Sequence, residues 1–255
     1  MRLHRIVEGP ADAPALVLSP ALGTTHELWD AQAARLAGRF RVVRYDRRGH
    51  GGSPLPDGPT TLDALGGDLV ELLDELGLER VSCCGVSLGG LVGLWLAVNA
   101  PGRVERLVVA CAAPAFEPRR AWTERAALVR AEGVEAVADG ALGRWFSPAF
   151  HNRRPDVIEL FRAMLVSTPG EGYAACCDAL AGADLWPRLG EITASTLVLT
   201  GADDPVVPPA VGEAVAAAIP GARHIALPDA AHIANVEQEQ AFTDALLGHL
   251  EASAD

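Results

Sequence analysis

Apolar residues along this chain fall into two alternating kinds of segment. Short runs, most of them apolar on both faces, occur at Ala15–Ser19 (ALVLS), Phe40–Tyr45 (FRVVRY), Val81–Val86 (VSCCGV), Val104–Ala110 (VERLVVA) and Ser195–Thr200 (STLVLT). These predict strands, and Arg223–Leu227 is a weaker sixth. Between them, the pattern predicts helices over Trp29–Leu36, Thr61–Leu76, Leu88–Asn99, Val211–Ala218 and Val236–Leu250. Gly77 reads as a helix C-cap, and Pro101 stops the third helix. Strands that are buried on both faces and alternate with helices imply an α/β protein with a mainly parallel central sheet flanked by helices.

The stretch 115–190 differs. It keeps helical periodicity without a convincing strand and is broken at Ser147-Pro148, Arg154-Pro155 and Thr168-Pro169-Gly170. We therefore expect residues 1–114 and 191–255 to form one core, with 115–190 inserted as a helical lid (cap). In open α/β sheets ligands bind at the carboxyl edge of the strands, so a lid there would shape a pocket.

Composition narrows the chemistry. All 21 basic residues of the 255 are Arg. A chain without Lys cannot form a Schiff base with pyridoxal phosphate, carry biotin or lipoate, or build a Walker A loop. The net charge of −12 argues against nucleic acid as a partner. No apolar run approaches the roughly 18 to 20 residues of a membrane span, and the amino terminus lacks the apolar core of a signal peptide. The expectation is a cytoplasmic protein. Cys83, Cys84, Cys111, Cys176 and Cys177 fit neither a disulfide framework nor a metal-ligand spacing, and should be buried free thiols.

The sharpest motif is Gly85-Val86-Ser87-Leu88-Gly89-Gly90, set between a strand and a helix. A serine at such a turn, with glycine two residues to either side, reads as a nucleophile elbow. Side chains at those flanking positions would collide with the adjoining strand and helix. The hydroxyl needs a base, and the base needs a carboxylate, in the chain order Ser, acid, His. Of His224, His232 and His249, only His232 lies in a loop between the last strand and the last helix. His249, near the end of that helix, reads as a solvated cation. Asp203 and Asp204 both follow the strand Ser195–Thr200. Asp204 is the preferred acid because it sits deeper in the turn before Pro205, and Asp203 then reads as a turn cap. The oxyanion hole would use the Leu88 N–H and, from the loop after the first strand, the Leu22 N–H. In Asp46-Arg47-Arg48-Gly49-His50-Gly51, one His and one Asp make no metal site, and Asp46, Arg48 and Gly51 read as a buttress beside the nucleophile.

At these residues the sequence resembles the α/β-hydrolase superfamily over essentially its whole length. More closely it is similar to the 3-oxoadipate enol-lactonases. Four fragments carry that likeness: Leu22-Gly23-Thr24-Thr25 with Trp29-Asp30; Arg144 to Phe150 (RWFSPAF); Ser167-Thr168-Pro169 with Glu171-Gly172-Tyr173 and Cys176-Cys177; and His232 to Gln238 (HIANVEQ). The resemblance implies an α/β-hydrolase fold with an inserted helical lid. It also implies a serine hydrolase that opens a five-membered enol-lactone through an acyl-enzyme, with no metal or organic cofactor. The substrate would be a small lactone or ester carrying a carboxylate. Arg144, with Arg47 second, is the candidate to bind that carboxylate, because guanidinium matches it in two hydrogen bonds. Trp122, Trp145, Phe146 and Tyr173 are candidate pocket walls. Other readings stay open: a carboxylesterase, a C–C bond hydrolase, a cofactor-free haloperoxidase or perhydrolase, or a non-catalytic binding protein on the same fold. Oligomeric state is not legible.

Overall fold

The computed structural model describes residues 2–55 and 57–252. Its centre is a seven-stranded sheet: β1 Arg5–Glu8, β2 Ala15–Ser19, β3 Arg41–Tyr45, β4 Val81–Val86, β5 Val104–Ala110, β6 Ser195–Gly201 and β7 Arg223–Leu227. The order is β1-β3-β2-β4-β5-β6-β7. Every neighbouring pair is parallel except β1 with β3. β1 escapes the sequence pattern because it is a four-residue, half-exposed edge strand. β4, at the centre, is buried throughout, so its residues are apolar or small on both faces.

Six helices pack on this sheet: α1 Asp30–Leu36, α2 Leu62–Glu75, α3 Leu88–Asn99, α9 Pro209–Ala218, α10 Ala234–Glu237 and α11 Glu239–Leu250. The side chain of Thr61 caps α2 by accepting the Ala64 N–H at 3.1 Å, and Gly77 follows it with φ +65°. The single helix expected over Val236–Leu250 is instead two. Gln238 leaves helical geometry (φ −123°, ψ 53°) and separates them.

Between β5 and β6 the chain forms α4 Arg119–Glu132, α5 Glu135–Trp145, α6 Pro148–Arg153, α7 Pro155–Val166 and α8 Gly170–Gly182. The expected breaks fall between helices. Ser147 caps α6 by accepting the Phe150 N–H at 3.2 Å, and Pro148 and Pro155 begin α6 and α7. Arg130 on α4 holds Glu171 and Asp178 on α8 at 2.8 and 2.7 Å.

This insertion rests on two core loops. Gly172 on α8 meets Gly49 backbone to backbone: a Cβ on Gly172 would lie 2.1 Å from the Gly49 carbonyl oxygen. The Thr25 N–H points at the Met164 sulfur, 3.3 Å away. The five cysteines are buried free thiols in β4, after β5 and in α8.

Candidate active site

The elbow forms because glycine flanks Ser87 where nothing else fits. A Cβ on Gly85 would stand 2.2 Å from the Gly89 backbone, and one on Gly89 would stand 2.2 Å from the Ser19 carbonyl oxygen. The turn places Ser87 at φ +56°, ψ −120°, a backbone conformation that L-residues rarely adopt. It points the hydroxyl out of the carboxyl end of β4 at the start of α3.

His232 and Asp204 converge on that hydroxyl. Ser87 Oγ lies 2.9 Å from His232 Nε2, and His232 Nδ1 lies 2.9 Å from Asp204 Oδ2. A carboxylate only accepts, so Nδ1 carries the proton and the Nε2 lone pair faces the serine. The other oxygen of Asp204 accepts the Val206 and Val207 N–H groups at 2.7 and 3.0 Å. Asp204 therefore makes the turn cap expected of Asp203, which is exposed. All three groups are buried, with Ser87 8% exposed. His224 pairs with Thr200 instead, at 2.8 Å. His249 is buried rather than solvated and donates to the Ser195 carbonyl at 3.1 Å.

Leu88 opens α3, where the first N–H groups have no intrahelical acceptor. Leu22 lines the cavity beside Ser87. The loop carrying Leu22 is braced from behind. His50 Nε2 accepts the Gly23 N–H at 3.1 Å, and its Nδ1–H donates to the Arg48 carbonyl at 3.2 Å. Burial, then the neighbouring Arg47 guanidinium, pushes the His50 pKa down to about 3.

Arg47 belongs to the same brace, which corrects the expectation that it binds substrate. It is 2% exposed and off the cavity wall, and its Nη2 donates to the Pro20 carbonyl at 2.5 Å. Its Nη1 is buried with no hydrogen-bond partner among the described residues. Arg48 is held by Asp68 at 2.5 and 2.6 Å. Asp46 accepts the Gly52 N–H at 2.9 Å and the His26 N–H at 2.7 Å. The imidazoles of His4 and His26 also donate to Asp46, at 2.8 and 2.9 Å. These three groups are of metal-ligating type and lie close together, but the four donors already occupy both carboxylate oxygens.

A cavity of about 200 Å³ opens over Ser87 and His232. Trp122, Arg144, Trp145 and Tyr173 line it, together with Glu117 and Arg125. Phe146 does not; it is buried and stacks on Phe150 with centroids 5.2 Å apart. Arg125 was not anticipated, although it stands one helical turn beyond Trp122, on the same face of α4. Its guanidinium carbon lies 5.0 Å from the Trp122 ring centroid, and it shares the cavity wall with Tyr173. Burial, then Arg125, holds the Arg144 pKa below its ordinary value. Among the described residues, neither Arg125 nor Arg144 forms an ion pair, whereas twelve other Arg side chains do. The arrangement offers a polarised serine and two unneutralised cations on one small cavity.

Residues 16–245 match the family model described as the alpha/beta hydrolase family. The chain is 42% identical to 3-oxoadipate enol-lactonase 2 of Acinetobacter baylyi over 93% of its own length and 89% of that protein. Among solved structures, the enol-lactonase from Burkholderia xenovorans LB400 is 41% identical, with a TM-score of 0.96 over 98% of this chain and 96% of that one. A thermophilic esterase from Thermogutta terrifontis, solved with malate bound, is 31% identical, with a TM-score of 0.92 over 97% and 92%.

Proposed function

This chain belongs to the alpha/beta hydrolase family, and from that premise we propose that it is a serine hydrolase that opens 3-oxoadipate enol-lactone to 3-oxoadipate. The observation that carries the reading is the pairing, in one cavity, of Ser87 and His232 with Arg125 and Arg144, two guanidiniums free of ion pairs. A nucleophile alone would suit any ester. Two half-buried cations without an ion-pair partner, in a protein of net charge −12, call for an anionic substrate. The cavity volume of about 200 Å³ favours a small one. The likeness to two enol-lactonases supports the same reading, and the esterase relative that binds malate shows a carboxylate ligand within the family.

Ser87 Oγ attacks the ring carbonyl while His232 Nε2 takes its proton, and Asp204 holds the imidazole in the required tautomer. The Leu22 and Leu88 N–H groups take the oxyanion. Collapse breaks the ring C–O bond and expels an enolate, a better leaving group than an alkoxide. His232 returns the proton, and the enol tautomerises to the ketone. Water, with His232 again as base, then releases the second carboxylate and restores Ser87. No step needs a metal or an organic cofactor. Arg125 and Arg144 bind the carboxylate of the side chain throughout, and α4 to α8 act as the cap that encloses it. The setting we propose is the breakdown of aromatic compounds in the cytoplasm.

The test is the ultraviolet decay of freshly made enol-lactone with the wild type and Ser87→Ala in parallel, because the lactone also hydrolyses spontaneously. Decay above background with the wild type alone is expected. Turnover of simple aryl esters without lactone decay would leave the esterase reading, which the Thermogutta relative favours. Inertness towards both, and towards a serine-directed fluorophosphonate, would leave a binding protein.

A further inference from the structure

His232 is gripped on both sides. On one side the Ala231 N–H donates to Glu237 Oε2 at 3.0 Å. On the other the Ile233 N–H donates to the Trp145 carbonyl at 2.9 Å. The same Glu237 carboxylate takes the Ser147 N–H, 3.3 and 3.2 Å from its two oxygens, and the Ser147 hydroxyl. Glu237 is 6% exposed and has no cationic partner among the described residues. Removing a carboxylate from water is costly unless fixed donors replace the solvent. Here the replacements come from two places distant in the chain: the loop carrying the base, and the corner between α5 and α6.

That corner follows directly on Arg144 and Trp145, both on the cavity wall. We propose that Glu237 is a positioning residue. Its buried carboxylate locks the His232 loop to the α5–α6 corner, so that the base and the Arg144–Trp145 wall keep one fixed separation across the substrate cavity. This rests on the serine-hydrolase reading given above. The chain supports the same geometry by leaving helical form at Gln238, directly after the carboxylate. Aspartate would be one methylene too short to span both sites. Glutamine offers only one acceptor oxygen, and its amide hydrogens would face an N–H it should bind.

The experiment compares wild type, Glu237→Ala, Glu237→Gln and Ser147→Ala. Each is assayed with a neutral aryl ester and with a matched ester carrying a carboxylate, beside the rate at which a fluorophosphonate labels Ser87. Glu237→Ala should lower kcat on the neutral ester about a hundredfold, the scale of a one-ångström misplacement, and slow labelling in parallel. Glu237→Gln should recover part of both. Ser147→Ala, which leaves the Ala231 bond intact, should lose less kcat but raise KM for the carboxylated ester more than for the neutral one. A folded Glu237→Gln with wild-type kcat, labelling and discrimination between the two esters would overturn the proposal, and it decides the matter if the alanine variant does not fold. A wild type that neither labels nor turns over any ester would overturn the hydrolase reading and this one together.

Discussion

The imidazole of His50 accepts the Gly23 N–H through Nε2 at 3.1 Å, and that bond can exist only while the ring is neutral. Burial and Arg47 hold its pKa at about 3, against 6.5 for a free histidine. The stability this contributes is fully present above pH 6.5 and is lost as pH falls towards 3, because the unfolded chain binds the proton first. The integrated effect is on the order of 5 kcal/mol. We expect the urea midpoint of the wild type to fall more steeply than that of His50→Gln between about pH 7 and pH 5. Parallel curves would show that the ring is not held neutral. At neutral pH the same variant should lose kcat through the loosened Leu22 donor, with little change in KM.

Asp204 and Asp203 are adjacent but unequal. Asp204→Asn leaves a side chain of the same size but lets His232 adopt the wrong tautomer, and kcat should drop on the order of 10⁴-fold. Asp203→Asn should be close to wild type, since that side chain is exposed. Comparable losses in the two variants would contradict the assignment of Asp204 alone as the carboxylate that orients His232.

Arg125→Gln and Arg144→Gln should each raise KM for the carboxylated lactone and spare a neutral aryl ester. A charge-assisted hydrogen bond is worth about 1.5–3 kcal/mol, so each change should cost roughly ten- to a hundredfold in kcat/KM. If both guanidiniums grip one carboxylate, the double variant should lose less than the product of the two singles. An equal effect on charged and neutral substrates would remove the carboxylate role.

Gly172→Ala would drive a methyl group into the Gly49 carbonyl, 2.1 Å away. Overpacking of this kind costs about 1–3 kcal/mol, and each kcal/mol lowers Tm by about 2–4 °C in a domain of this size. KM should rise too, since Tyr173 on the cavity wall is the next residue. Gly143→Ala is the control: its Cβ would meet nothing within 4 Å, and alanine favours the helix by up to about 1 kcal/mol. Calorimetry should move the two variants in opposite directions.

Local signals made most of this arrangement legible in the sequence. Five strands announced themselves because burial on both faces demands continuous apolar runs. Ser87, Asp204 and His232 stood out because a strained turn requires glycine, and the two partners occupy the loops after β6 and β7. What stayed hidden depended on distant pairing. β1 is too short and exposed to carry a pattern. Arg47 read as a candidate for the substrate carboxylate until the fold turned it onto the Pro20 carbonyl. Arg125 and the tie made by Glu237 were not legible, because Tyr173, which shares the cavity wall with Arg125, and Ser147, which Glu237 holds, lie 48 and 90 positions away.

The five buried thiols make the protein its own opening sensor. Burial pushes Cys83 and Cys177 up to about 12 and Cys176 to about 11, and holds Cys84 and Cys111 well above their ordinary value. An alkylating reagent therefore meets almost no thiolate until a segment opens. Cys176 and Cys177 keep time for α8, while Cys83 and Cys84 keep time for β4. The order in which their peptides gain label will tell whether the inserted helices detach while the sheet stays closed, or whether the molecule comes apart as one unit.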